Sequence, residues 1–489
     1  MNNFSRERFK TGEEYSRALF FLSPFILLFS ISLFQVLNLT LFQGDKYQTI
    51  AESNRIYQKP ISPVRGFIYD RNGTLLAENI VQRDLYVTPA YIEDSAETIL
   101  RLSNLLDVPY ELLDENFSRG VKKVKKFDSF PLVKALNEEQ IAKAKVNLDS
   151  ISGIEVKATL KRYVLHEETL AHVLGYVGDI SSDDIRRDKL LAELQNTQIG
   201  KTGIEKEFDY VLRGKPGIQT QERDVKGKLV RILDTQGAED GKDIYLTIDQ
   251  KLQDHLFKLF ENRRGALVAL EPKTGLVRAL ISSPSFNPNI LNSIVDTDEV
   301  ESLFSNKESP IFNRAISGQY PPASTLKPFV GLAAIENEVI SWDKTIKDDG
   351  EFYVEGDPRP YRGWKENGHG RVDMRKAIAE SSDVYFYTIA FDLTLAGIRP
   401  MLDSFGFGKK TGLTDFEANG LLPDKKWKLG YKGDFWFKGD TINLGIGQGY
   451  ILATPLQLAM AYSGLANKGV IYQPQFIQPE DEKSFEPKK

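Results

Sequence analysis

One apolar run stands apart from everything else in the chain. Between Ala18 and Gln43 no residue is charged, and Leu, Phe and Ile dominate. At about 1.5 Å of rise per residue, a helix of that length crosses the roughly 30 Å hydrocarbon core of a bilayer with some tilt. A buried core helix or a signal-peptide apolar region is shorter, and no small-residue cleavage site follows. Arg6, Arg8, Lys10 and Arg17 precede the run, while Asp45 and Glu52 follow it. Basic residues on the N-terminal side predict a cytoplasmic tail over 1–17, a single-pass membrane anchor over 18–43, and an exported body beyond it.

After the anchor the pattern changes twice. Residues 44–242 mix short β-type runs with charged helical stretches such as 134–147. Turn signals recur at Arg71-Asn72-Gly73, along Arg213 to Gly217, and at Gly227 and Gly237. From Asp243 the sequence IYLTID alternates as a strand, and LQDHLFKLF follows as a helix. GALVALEP and TGLVRALIS read as two strands joined by a Pro-Lys-Thr-Gly turn. An α+β domain over 243–489 is therefore expected, with a helix in PFVGLAAIENEVI and a polar, unstructured tail in PEDEKSFEPKK.

Composition narrows the chemistry. A chain of 489 residues is long enough for two or three domains. Lys+Arg is 63 against Asp+Glu 68, so no basic excess marks a nucleic-acid binder. Cysteine is absent, which removes disulfides, thiolate metal sites and Cys nucleophiles. Only His166, His172, His255 and His369 remain, without an HExxH pair. No metal or other cofactor is expected, and hydroxyls, lysines and carboxylates are left to carry any reaction.

Ser324-Thr325-Leu326-Lys327 matches S-x-x-K, a serine–lysine acyl-transfer signature. Alone it is weak, since Ser341-Trp342-Asp343-Lys344 matches too. Context separates the two. Ser324 opens a predicted helix, where the dipole favours negative charge and Lys at i+3 shares its face. Such a lysine acts as a base only when burial or nearby positive charge lowers its pKa. A plain N-cap serine with a solvated lysine is the ordinary reading of the tetrapeptide. The second feature, Ser381-Ser382-Asp383, lies 57 residues after Ser324 inside the apolar stretch MRKAIAESSDVYFYTIAFDL. Ser-x-Asp between two helices can bring a hydroxyl and a hydrogen-bond acceptor to the Ser–Lys pair, although Ser and Asp also favour plain helix caps.

With both motifs in hand the chain resembles the class B penicillin-binding proteins. Val64-Arg65-Gly66-Phe67-Ile68-Tyr69-Asp70-Arg71-Asn72-Gly73 is similar to the opening of that family's pedestal domain, and Gly200-Lys201-Thr202-Gly203-Ile204-Glu205-Lys206 to its later signature. Asn313-Arg314-Ala315, Tyr320-Pro321-Pro322 and the S-x-x-K resemble the nucleophile region, with Ala323 where the family usually has Gly. Gly445-Ile446-Gly447-Gln448-Gly449-Tyr450 and Ala453-Thr454-Pro455 extend the match. Asp383, Tyr361-Arg362-Gly363-Trp364 and Gly368-His369-Gly370 resemble the elongation branch.

The resemblance implies an elongated β-rich pedestal over 44–242 and a transpeptidase domain over 243–489, of the serine β-lactamase-like α/β/α kind. It implies a peptidoglycan D,D-transpeptidase acting on stem peptides and acylated by β-lactams, with Ser324 as nucleophile and Lys327 as base. Ser381 would relay a proton and Asp383 orient the lysine or substrate. The implied partners are a SEDS-family glycosyltransferase and other elongation-complex proteins. Some elongation-type relatives carry zinc on two Asp, a His and a Cys. Here Asp349 and His369 match two of those places, Gly363 stands at the second Asp position and no Cys exists, so no zinc is expected.

One family motif has no counterpart. The third, K-[ST]-G, belongs after the Gly-Gln-Gly segment, but the Lys-Thr-Gly triplets lie at 201–203, 273–275 and 410–412, all before it. In the resembling family this motif lies on a strand that supplies an oxyanion donor, and losing one such donor costs about 10²–10³ in rate. The substrate-binding residues are therefore left unassigned. The transpeptidase domain is expected to be incomplete at its C-terminus, with unpaired strand edges. Two readings follow: a family transpeptidase, or an inert membrane-anchored scaffold.

Overall fold

The computed structural model describes residues 4–39 and 55–477, apart from 123, 125, 148–150, 190, 192–193, 195–197, 225–228, 262 and 292–296. The expected polar tail and the last residues of the expected anchor lie outside the described residues. A helix runs over Phe4–Leu37, so helical structure extends back through the charged N-terminal stretch. Its Phe20–Leu37 part has a mean hydropathy of 2.1 and no described residue buried within the protein, and it is long and apolar enough to cross a membrane.

Two sheets shape the next part. Strands Ile56–Ile61, Gly217–Arg223 and Leu229–Gln236 form one antiparallel sheet in that order. The other is built on the long strand Leu75–Val87, which pairs antiparallel with Ile154–Val164 from Ala77↔Val164 to Val87↔Ile154. Phe130–Val133 joins one end of that strand and Ile68–Tyr69 the other. Buried charge fixes how the two pedestal-like segments meet. Arg65 Nε and Arg162 Nε each lie 2.6 Å from a different oxygen of Glu205, whose side chain is 1% exposed. Burial opposes the Glu205 charge, but the two guanidinium groups outweigh it and hold its carboxyl below the ordinary range.

The strand expected at the start of the second domain is shared rather than separate. Ile244–Tyr245 pairs parallel with Ile68–Tyr69, extending the first domain's sheet. Two residues on, Thr247 Oγ1 donates to the carbonyls of Val277 and Gln475, at 2.7 and 2.9 Å. The strand is short because Asp249 then caps the helix Gln250–Lys258 by accepting from Leu252 N–H. Ile68, Leu76, Leu174, Leu246, Val277 and Leu280 form one continuous core across the junction.

The expected hairpin is present: Gly265–Leu270 pairs antiparallel with Val277–Ser283, Gly265 opposite Ser283. Among the described residues no other strand pairs with Gly265–Leu270. The helices Lys327–Glu336, Asp383–Ser404 and Lys438–Gly445 pack round a core that includes Leu326, Phe329, Phe386, Ile389 and Ile442. Phe329 is clamped edge-on by Phe405 and Phe407, with ring centroids 4.8 and 5.4 Å away. Burying one such ring is worth about 1.5–3 kcal/mol. That packing makes the start of its helix, two residues earlier, a rigid platform.

Candidate active site

Ser324 sits in the 3₁₀ turn Ala323–Leu326, which runs directly into the helix Lys327–Glu336 with Pro328 in its first turn. Side chains at i and i+3 eclipse in a 3₁₀ turn, so Ser324 and Lys327 lie on one side. Ser324 is exposed and Lys327 only 1% exposed. Ala323 holds a φ of +51°, a left-handed conformation that disfavours a side chain. Its N–H donates to Gly447 O at 2.8 Å. A Cβ on Gly447 would lie 2.1 Å from Ala323 O, so the Gly-Gln-Gly segment needs glycine there to approach the Ser324 turn. Tyr320 and Ala453 exchange both backbone hydrogen bonds at 2.9 Å, which brings the Tyr-Pro-Pro and Ala-Thr-Pro segments together beside it.

Ser381 lies where the apolar helical stretch breaks, between Met374–Ala379 and Asp383–Ser404. It too has a left-handed backbone, φ +55°. Its neighbour Ser382 is the N-cap of the long helix, accepting from Tyr385 N–H at 3.2 Å. Ser382 also donates to Asp348 Oδ2 at 2.6 Å, and that oxygen meets His369 Nδ1 at 2.6 Å. Burial opposes the Asp348 charge, but the bonds from Ser382, His369 and Gly350 N–H hold its carboxyl below the ordinary range. A fully buried cluster thus fixes the break between the helices.

The four expected residues come together. Ser381 Oγ donates to Ser324 Oγ at 2.9 Å. Lys327 Nζ donates to Ser381 Oγ at 3.0 Å, to Ser381 O at 2.9 Å and to Asp383 Oδ1 at 2.7 Å. The serine–lysine link runs through the second hydroxyl. Burial pushes the Lys327 ammonium below the ordinary lysine range, while Asp383 pulls the other way. A chain of exchangeable protons therefore runs from an exposed hydroxyl to a buried lysine, as an activated nucleophile requires.

The competing matches fall elsewhere. Ser341 to Lys344 is an exposed turn. Thr411 Oγ1 and the Thr411 and Gly412 N–H groups all grip the Glu417 carboxylate, so this triplet serves a local loop. Lys201 pairs with Asp184, and Lys273-Thr274-Gly275 is the hairpin turn. One assignment needs correcting: Asp349 is exposed and pairs with Lys347 at 2.7 Å, and Asp348 is the carboxylate that meets His369. The residues present do not fit zinc. Gly363 has no donor atom and Ser382 offers a neutral hydroxyl already bonded to Asp348. Among the described residues His369 Nε2 is buried without a partner, yet with Asp348 it makes two donors where zinc takes four.

Sequence reasoning missed three supporting residues. Trp364 donates N–H to Asp383 Oδ2 and Nε1–H to Ser381 O, both at 3.1 Å, fixing the motif from outside. Ser382 and Asp348 fix it from inside. A polar residue inside an apolar helical stretch was the available signal for Ser382; nothing local marks Asp348.

The chain is similar to known proteins along most of its length. Residues 265–489 match the penicillin-binding protein transpeptidase domain, and residues 60–246 the penicillin-binding protein dimerisation domain. The chain is 38% identical over 433 residues to the peptidoglycan D,D-transpeptidase MrdA of Acinetobacter baumannii, covering 88% of this chain and 64% of that one. With the Escherichia coli K12 protein of the same name it shares 36% identity over 469 residues, 94% of this chain and 74% of that one. It thus spans about two thirds to three quarters of these relatives. The fold is similar to penicillin-binding protein 2 in its complex with MreC from Helicobacter pylori, with a TM-score of 0.79 at 30% identity, covering 87% and 80% of the two chains. It is also similar to Pseudomonas aeruginosa PBP2 in complex with WCK 5153, with a TM-score of 0.65 at 29% identity and coverage of 88% and 77%.

Proposed function

Because the chain belongs to the penicillin-binding proteins of the PBP2 (MrdA) family, we propose that it is a membrane-anchored peptidoglycan D,D-transpeptidase working through a Ser324 acyl-enzyme. The observation that carries this reading is the hydrogen-bonded chain from Ser324 Oγ through Ser381 Oγ to Lys327 Nζ.

In the first step Ser324 Oγ attacks the carbonyl carbon of the penultimate D-Ala of a stem peptide. Its proton passes by way of the Ser381 hydroxyl to neutral Lys327. Collapse of the tetrahedral intermediate breaks the C–N bond, and the lysine proton returns along the same path to the leaving D-Ala amine. An amine of a neighbouring stem peptide then attacks the ester carbonyl and loses a proton to the lysine; the ester C–O bond breaks, and that proton passes through Ser381 to restore the Ser324 hydroxyl. Asp383 orients Lys327, and Trp364 holds Asp383. β-Lactams enter by the same first step.

In this account residues 1–17 are cytoplasmic, 18–43 anchor the chain in the inner membrane, 44–242 form the pedestal and 243–489 the transpeptidase domain. The positive N-terminal flank of the apolar helix supports that orientation. The relative solved with MreC supports a partner of that kind, and a SEDS-type glycosyltransferase beside it is part of the same proposal. The intact hydrogen-bonded chain of Ser324, Ser381 and Lys327 favours the enzyme over the inert scaffold.

The direct test uses the detergent-solubilised chain and un-cross-linked stem peptides ending in D-Ala-D-Ala. Release of D-Ala by the wild type and its loss in Ser324→Ala support the reading. Equal release from both contradicts it.

A further inference from the structure

Next to the nucleophile the chain builds a surface that the proposed chemistry does not use. The Ala323–Gly447 hydrogen bond sets the Gly447-to-Tyr450 segment against the nucleophile turn. The Tyr450 ring lies 5.4 Å from Trp427, and Trp427 stacks on Tyr431 at 5.4 Å with the planes 16° apart. These rings open the segment Lys425–Lys438, KKWKLGYKGDFWFK, which holds five lysines and five aromatic residues among its 14. Tyr431 is 73% exposed, Phe435 72% and Phe437 56%.

One lysine of the five is structural. Lys428 is buried against Asp440 at 2.6 Å, with its Nζ 4.6 Å from the Phe437 ring centroid and 5.5 Å from that of Tyr450. It locks the aromatic rings round one buried cation. Lys425, Lys426 and Lys432 are exposed, and none forms an ion pair among the described residues. Exposed large aromatic residues interspersed with uncompensated cations mark a binding surface rather than ordinary solvated protein. On a chain whose net charge is −5, a local basic face also selects an anionic ligand.

We propose that this face binds an un-cross-linked glycan strand of peptidoglycan, with sugar rings lying on Tyr431 and Phe437 and stem-peptide carboxylates meeting Lys425, Lys426 and Lys432. The choice of ligand rests on the transpeptidase reading and names where its polymeric substrate is held. Trp427 and Tyr450 link this segment to the Gly447 backbone that bonds Ala323, so a strand seated there carries its stem peptides toward the Ser324 turn. Small β-lactams do not reach it.

The test measures binding of fluorescently tagged, un-cross-linked glycan strands bearing pentapeptide stems to the full chain in detergent. The Ser324→Ala background keeps acylation out of the binding signal. The triple variant Lys425→Glu, Lys426→Glu, Lys432→Glu is expected to bind about tenfold more weakly and to lose most of the salt dependence. The pair Tyr431→Ala, Phe437→Ala is expected to bind more weakly at every salt concentration. In the Ser324 background benzylpenicillin acylation stays within twofold of wild type for both sets, and melting curves report folding. If the aromatic pair unfolds the segment, the charge-reversed triple still decides.

Strand affinity unchanged in the triple variant overturns the proposal, whatever the acylation result. Equal affinity for phosphatidylglycerol vesicles, lost in the same variants, overturns it in favour of a membrane surface. Self-association abolished by the same variants overturns it in favour of a second copy. Failure of wild-type acylation with strand binding intact would count against the catalytic reading alone.

Discussion

Ser381 donates its hydroxyl hydrogen to Ser324 across 2.9 Å, so the proposed nucleophile meets Lys327 through a second serine. Ser381→Ala removes the connecting hydroxyl while leaving both ends in place. Acylation by benzylpenicillin is expected to slow by about 10²-fold or more, the scale of a positioned proton-transfer group. A stopped-flow rate within threefold of wild type would show that Lys327 reaches Ser324 without it.

Asp383 pulls the Lys327 pKa up while burial pushes it down. Asp383→Asn removes the upward pull, so the Lys327 pKa falls further. Neutral lysine is the form that accepts a proton, so the acid limb of the acylation pH profile moves to lower pH. The maximal rate falls as well, because the ammonium loses its 2.7 Å partner. A limb that moves to higher pH would reverse the assignment of base and orienter.

Ser382 touches no reacting atom, yet it caps the long helix and bonds buried Asp348. Ser382→Ala leaves a carboxylate oxygen short of one donor, at about 1–3 kcal/mol. A lower melting temperature and slower acylation are expected together. Added zinc or chelator changes neither. Restoration of both by zinc would show that the cluster holds a metal after all.

Ala323 occupies a left-handed conformation at φ +51° without being glycine. Ala323→Gly removes the Cβ penalty and is expected to stabilise the fold by up to about 1 kcal/mol. Chemical denaturation measures this, and a destabilised variant would mean that the turn gains from the methyl group.

Glu205 joins the two pedestal segments through Arg65 and Arg162. Arg65→Ala leaves a buried carboxylate half-compensated, and a loss of about 3–5 kcal/mol follows. Limited proteolysis should then cut within 44–242 first. Unchanged protection of that region would remove the network from the account.

Much of this was legible in the residues because it is encoded locally. The hairpin 265–283 follows from two alternating runs and a Pro-Lys-Thr-Gly turn, and Ser324 with Lys327 from a spacing that one turn enforces. The break at Ser381 shows as polar residues inside an apolar helical stretch. What escaped was set by tertiary contact. The strand at Ile244 pairs with Ile68 far upstream, so no local pattern tells which domain it serves. Asp348 and Asp349 are adjacent and chemically identical, and only the course of the short strand Ile346–Asp348 decides which faces His369. Trp364 acts through its backbone N–H and indole, groups that carry no sequence periodicity.

The central claim is that Ser324 is an activated acyl-accepting hydroxyl. Intact-protein mass spectrometry of the full chain in detergent, with and without benzylpenicillin, tests it most directly. One penicilloyl adduct per chain is expected, mapped to the peptide containing Ser324 and missing in Ser324→Ala. A folded wild-type chain without an adduct, or an adduct that persists in Ser324→Ala, would contradict it.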